Sequence, residues 1–374
     1  MPDPSELLDI ALKRVSEAET DLTSEVTEQI EYICRNPRNR SGTRFLMACL
    51  LAKVHNPAVD IRKPYTAIGS DDAYSGRTYD ETYVGPFIVQ HALPCNSTTA
   101  FLTPALRNRD IVLTPEVNLV GNPPELYETL LHLLDDVQKG NISAAALLAE
   151  IVRSLLSLRN ENRQRLEVLL TPSRNSESEL PLSAEAIVTL IEQHLQCPHT
   201  SRLPVLVVAA AYKAAETFLG ERAQPLYSHT AADKQTGASG DLEITLIDDE
   251  EVITGYEMKA KRVERGDIDR ALQKIADIGK RVDNYIFITT DTIEVEVSAY
   301  AASIYESTGG IEMVILDCIG FLRHFLHLFH RLRIQFLDAY QTLLLAEPES
   351  VVRQELKEAF LVLRRAASSG GVDG

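Results

Sequence analysis

Asp241, Glu257 and Lys259 are the side-chain types that cutting a phosphodiester with a divalent cation requires, and they fall close together in SGDLEITLIDDEEVITGYEMKAKR, residues 239 to 262. LEITLI and VITGYEM are rich in Ile, Val, Thr and Tyr and flank the acidic turn Asp248-Asp249-Glu250-Glu251, a pattern that predicts an antiparallel hairpin. Side chains alternate along a strand, so Glu257, Lys259 and Lys261 share one face, with Met258 and Ala260 on the other. Pairing Ile247 with Val252 across the turn sets Asp241 opposite Met258, next to Glu257, and two carboxylates and an ammonium then converge.

Mg²⁺ prefers oxygen ligands and keeps several waters, so one or two carboxylates and a substrate phosphate complete its shell. Asp241 and Glu257 are therefore the expected metal ligands, with the Met258 carbonyl as a further donor. Lys259 is expected to orient or activate the attacking water and to offset charge growing on the phosphoryl oxygens, with Lys261 as an accessory cation. The competing reading is a solvated edge strand whose charges deter aggregation. An acid two residues before a lysine occurs once more, at Glu355 and Lys357, but VVRQELKEAFLVLRR has helical periodicity, and positions i and i+2 of a helix do not face each other.

The hairpin needs flanking elements to hold it. LPVLVVAAAYKAAETFLG (203 to 220) predicts a long apolar helix that carries Glu216 near its end. GDIDRALQKIADIGKR predicts a helix starting near Asp267, YIFITT a buried strand, EVSAYAASIYESTG a second helix and IEMVILD a further strand. The order is α, β, β, α, β, α, β.

This order, with Gly240-Asp241 and the Tyr256 to Lys259 run YEMK, resembles the PD-(D/E)xK nuclease superfamily over about residues 200 to 320. Glu216 stands where many members carry an additional acid, and Gly replaces the Pro before the Asp. The resemblance implies an α/β (α+β) fold, a restriction-endonuclease-like mixed β-sheet core flanked by helices. It also implies Mg²⁺ as cofactor and double-stranded DNA as substrate.

Composition bounds the partners. The chain has 374 residues and is 45% hydrophobic, enough for two domains. No apolar run approaches the ~20 residues of a membrane span. An acidic, amphipathic N-terminus without a signal-peptide profile and five widely spaced cysteines suit a reducing cytoplasm. The net charge of −17 disfavours nucleic acid on its face, yet residues 1 to 31 hold nine acids and two bases, whereas 32 to 70 hold seven bases and one acid. Such a distribution would repel DNA from most of the exterior and admit it locally. There is no Walker A sequence and no GxGxxG after a strand, so no nucleotide cofactor is expected.

The expected organisation is a mainly helical N-terminal domain over 1–170, a Ser/Pro/Glu-rich linker over 171–183 and the catalytic core over 184–320. C-terminal helices over 321–366 and a tail over 367–374 follow. Within the N-terminal part, residues 71 to 110 are dense in Ser, Thr, Asn, Arg and Tyr. Arg77, Asn96, Thr98, Thr99, Arg107 and Asn108 are of the types that read base edges or grip phosphates. Taken singly, Asn96-Ser97-Thr98-Thr99 also suits a helix cap and Ser75-Gly76-Arg77 a turn. A helical N-terminal part with Asp72, Tyr74, Ser75 and Arg77, followed by this core, resembles type II restriction endonucleases of the SacI-like group. That likeness implies a homodimer cutting a specific duplex sequence. The alternatives are a structure-specific repair or mobile-element nuclease of the same fold and a non-catalytic helical interaction protein. His324, His327 and His330 recur every third residue, which scatters them round a helix and suits a polar stripe or dimer surface better than a metal site. Cys197, His194 and His199 lack the second cysteine pair of a structural zinc site.

Overall fold

The computed structural model describes residues 2–15, 22–36, 40–96, 98–107, 110–171, 181–226, 238–249, 252–279 and 281–369. The chain divides into two compact units, Met1–Arg165 and Leu166–Gly374. The division falls within a long helix rather than in the predicted linker at 171–183, most of which lies outside the described residues, as does the end of the predicted tail.

The first unit is helical, as its periodicity predicts. It comprises α1 (Pro4–Val15), α2 (Ser24–Arg35), α3 (Ser41–His55), the short α4 (Gly76–Tyr79), a π-helical turn (Asp80–Val84), α5 (Gly85–Gln90), α6 (Pro124–Lys139) and α7 (Ala144–Leu170). Every residue of α3 from Ser41 to Ala52 is buried, because SGTRFLMACLLA is apolar nearly all round and can only be a central helix. The exception is Arg44. Its guanidinium meets Asp80 at 2.5 Å, both fully inside, and Asp80 also accepts from the Thr99 hydroxyl and the Ala100 amide. A buried charge persists only with such partners.

The second unit holds α8 (Ala184–Leu195), α9 (Leu203–Leu219), β1 (Glu221–Ala223), β2 (Leu242–Leu246), β3 (Val252–Lys259), α10 (Arg265–Ile278), β4 (Asn284–Thr289), α11 (Val295–Thr308), β5 (Glu312–Asp317), α12 (Cys318–Leu328), α13 (Arg333–Ala346) and α14 (Gln354–Ser369). The five strands form one mixed sheet in the order β1-β2-β3-β4-β5, antiparallel from β1 to β3 and parallel from β3 to β5. The fold class is therefore mixed α/β. β1 is not signalled by its sequence, Glu-Arg-Ala, and forms because β2 offers it a ladder.

Alternation sorts the two faces of the sheet. Leu242, Ile244, Tyr256, Ile286 and Ile288 point to a core shared with α8, α9, α12, α13 and α14, while Tyr285, Phe287, Met313 and Ile315 point to a second core under α10 and α11. The C-terminal helices, predicted as a separate segment at 321–366, are part of this unit's main core: α13 packs along α9, and α14 along α8. His194 is buried between them, bonded to the Tyr340 hydroxyl at 3.0 Å and the Leu356 carbonyl at 2.9 Å, and burial pulls its pKa down to about 4. His324, His327 and His330 are all exposed, and His327 joins Arg323 on Glu185 of α8, a polar link rather than a metal site.

Candidate active site

The hairpin forms where the alternation predicts it, with one difference of register. Leu242 pairs with Tyr256, Glu243 with Gly255 and Ile244 with Thr254, and a bulge between Ile244 and Thr245 then brings Thr245 opposite Val252. Turn spacing predicts Asp241 opposite Met258, but the bulge shifts the ladder by one residue, so its continuation sets Asp241 opposite Glu257. The Asp241 amide bends back to the Tyr256 carbonyl at 2.7 Å, and its Oδ2 accepts the Met258 amide at 2.8 Å. Glycine at 240 permits this approach: a Cβ there would lie 2.3 Å from the Tyr256 carbonyl oxygen.

Glu257 and Lys259 share a face, and the Lys259 ammonium sits 2.6 Å from Glu257 Oε1. On its other side it lies 3.1 Å from Oδ1 of Asp267, in the first turn of α10. Asp267 is itself held by the Glu264 amide at 2.9 Å and by Arg270 at 2.5 Å. Behind Glu257, its Oε2 is 2.6 Å from the hydroxyl of Tyr285, which is fully buried and also 2.9 Å from the Ser239 carbonyl. Gly255 makes room for that ring, since a Cβ there would be 3.0 Å from it. The loop before Asp241 is pinned in turn, with the Ser239 amide and hydroxyl both donating to the buried carboxylate of Glu243.

Electrostatics follow from this packing. Burial pushes the Asp241 carboxyl above the ordinary aspartate value, against the pull of the Met258 amide, and the Glu257 charge adds to the rise. Burial alone would lower Lys259, but Glu257 and Asp267 outweigh it and hold the ammonium above the usual lysine range. Asp267 moves the other way. Burial opposes its ionisation, yet the Glu264 amide, Lys259 and Arg270 together lower it. Two carboxylates that repel each other across a strand pair are a donor set that Mg²⁺ suits, since its remaining ligands are waters and phosphate. Among the described residues, no group of three or more His, Cys, Asp or Glu forms a larger cage.

Lys261 and Arg262 continue past Lys259 along one wall of an open cleft of about 660 Å³, with Glu264, Asp267, Arg270 and Asp291 opposite. Lys261 is exposed, and Arg262 pairs with Glu294. Glu216 is half-buried near the end of α9, one turn beyond Tyr212, whose hydroxyl meets that of Tyr256 at 2.9 Å on the sheet face away from Glu257. The competing Glu355 and Lys357 lie on α14, where buried Lys357 donates to the Leu345 and Glu347 carbonyls at the end of α13. That is a helix-capping role.

The predicted DNA-contacting residues divide. Arg77 is exposed and paired with Glu81 at 2.8 Å, and Thr98 and Arg107 are exposed. Asn96 donates to Ser41 at 2.8 Å, and its carbonyl accepts from Arg44. Thr99 is a correction: it is buried, bonds Asp80 and caps the 3₁₀ turn Ala100–Leu102, so its side chain serves the core and not a ligand. Ser75 likewise caps α4. Asn108 lies outside the described residues. Tyr285, Asp267, Ser239 and Glu243 are the site residues the motif does not announce. Asp267 carried the one available signal, an acid at a helix start. No helix among the described residues is long and apolar enough to cross a membrane. No model of a known protein family matches the sequence, and no curated protein does.

Proposed function

We propose that the chain is a Mg²⁺-dependent nuclease of the PD-(D/E)xK kind, with a restriction-endonuclease-like core, that hydrolyses double-stranded DNA at a specific sequence as type II restriction endonucleases do. The observation that carries this reading is the meeting of Asp241, Glu257 and Lys259 at one end of β2 and β3, with the ammonium seated on Glu257. Asp241 and Glu257 would hold Mg²⁺, with the Met258 carbonyl adjacent. Bound there, the ion supplies Lewis acidity and an acidified water. Lys259, kept protonated by its two carboxylates, donates hydrogen bonds to the attacking water or to a phosphoryl oxygen and offsets its charge. It does not take the water's proton. Cutting both strands of a palindromic site needs two such centres, so the proposed functional unit is a two-fold homodimer.

The test is incubation of the purified protein and Mg²⁺ with plasmid and phage DNA over a range of salt. Discrete bands are expected, with loss of cutting in Lys259→Ala and loss of calorimetric Mg²⁺ binding in Asp241→Asn. Uncut DNA throughout, or a Lys259→Ala variant as active as wild type, would sink the proposal. A second reading, a nuclease that recognises DNA structure, is favoured by Asn96 and Thr99 being tied inside their own unit. It predicts cleavage of flaps or junctions with no discrete bands from duplex.

A further inference from the structure

We propose that Asp267 is a positioning residue of this site: held rigid at the start of α10, it clamps the Lys259 ammonium against Glu257 and keeps it a cation. The inference rests on the reading of Lys259 given above but concerns a residue outside the Asp and Glu-x-Lys pattern. Lys259 comes from the last position of β3, where a four-carbon side chain has many rotamers. One carboxylate, Glu257 at 2.6 Å, would leave it free to swing with that partner. The second, Asp267 Oδ1 at 3.1 Å, comes from a different element and so defines a direction.

Asp267 is suited to that task because it has little freedom of its own. It is 9% exposed, Oδ2 accepts the Glu264 amide at 2.9 Å, and Oδ1 also meets Arg270 at 2.5 Å. An acid in the first turn is further favoured by the helix dipole. The charged and titratable groups around Lys259 are Glu257 on the same strand, Tyr285 on β4 behind Glu257, and Asp267 and Arg270 on α10. Glu264 and Asp291 line the same cleft, as does Lys261, whose like charge opposes protonation of Lys259. Asp267 is the only one of these besides Glu257 in direct ion-pair contact with the ammonium among the described residues.

Asp267→Asn keeps the shape and an oxygen for the Glu264 amide while removing the charge. Asp267→Glu keeps the charge and places at the third helical position the residue most used to reach back to the N-cap amide. The measurement is the rate of Lys259 acetylation against pH, read by mass spectrometry on the folded protein without DNA or metal. Labelling of Lys259 at pH 8 is expected to rise roughly threefold to tenfold in Asp267→Asn, the change in free amine for a pKa lower by about half a unit to one unit. Asp267→Glu is expected to stay within about twofold of wild type, the scale of one retained charge. Mg²⁺-dependent cutting by Asp267→Asn is expected to fall about tenfold in kcat, the usual cost of losing an outer partner. The alkaline limb of its pH profile should move to lower pH. Equal Lys259 labelling in wild type and Asp267→Asn, or labelling in Asp267→Glu raised as much as in Asp267→Asn, would overturn the inference. If Asp267→Asn does not fold, the Asp267→Glu profile decides alone: a wild-type profile supports the clamp and an Asn-like rise overturns it. The labelling needs no substrate, so a wild-type protein that cuts nothing refutes the nuclease proposal while the clamp is still judged.

Discussion

Replacing Tyr285 by Phe removes one oxygen from the centre of the site and almost no volume. That hydroxyl is fully buried between Glu257 Oε2 at 2.6 Å and the Ser239 carbonyl at 2.9 Å. Ser239 has no exposure, so its carbonyl loses a partner that water cannot replace, whereas the Glu257 side chain, 20% exposed, recovers part of its solvation. A buried group left unpaired costs ~1–3 kcal/mol, and with one of the two groups partly rescued about 2 kcal/mol is expected. That lowers the folded-to-unfolded ratio about 30-fold. The transition of the Leu166–Gly374 unit should fall by about 4–8 °C, the scaling for a unit of this size. Glu257 also loses the bond that fixes its rotamer, and an outer partner of a metal-binding carboxylate is typically worth about 10–100-fold in activity. Tyr256→Phe is the control: Tyr256 is the neighbouring residue, equally buried, and its hydroxyl bonds Tyr212 on the opposite face of the sheet. Calorimetry and the DNA-cutting assay should show both variants destabilised and only Tyr285→Phe slowed. A Tyr285→Phe protein that melts with wild type, or two variants that cut alike, would refute the reasoning.

Two further outcomes follow from the same coordinates. Burial holds His194 near pKa 4 against an ordinary 6.5, so acid protonates the unfolded chain first. Its contribution to stability is whole above pH 6.5 and drains toward pH 4, by about 3 kcal/mol in all. Urea unfolding of wild type should therefore weaken more steeply over that range than that of His194→Gln, and parallel pH slopes would contradict it. In Gly240→Ala the new methyl would stand 2.3 Å from the Tyr256 carbonyl, forcing the strand pair apart at Asp241. A loss of ~1–3 kcal/mol, the usual cost of overpacking, should accompany weakened Mg²⁺ binding, and wild-type values for both would show that the approach at Gly240 is not required.

Much of the second unit is legible from periodicity. The runs LEITLI and VITGYEM become β2 and β3, the apolar 203–220 stretch becomes α9, and Glu355 and Lys357 separate from Glu257 and Lys259 because one pair rides a helix and the other a strand. These are local matters, decided within a few residues by backbone geometry and side-chain alternation. Position in the first unit is less legible. Asn96 and Thr99 have the chemistry of DNA contacts, but Ser41 and Asp80 are brought to them by folding and take up their polar atoms.

The sequence by itself determined which strand carries the acid and lysine, which face they share and that helices must enclose the sheet, because alternation and amphipathicity depend on near neighbours. Only the tertiary structure decided the one-residue register that sets Asp241 across from Glu257, since a bulge at Ile244 and Thr245 leaves no sequence signal of its own. It alone placed Tyr285 behind Glu257 and Asp267 beside Lys259. Those contacts exist because β4 pairs parallel to β3 and α10 folds back over the strand end, and long-range pairing is the one thing a local pattern does not encode.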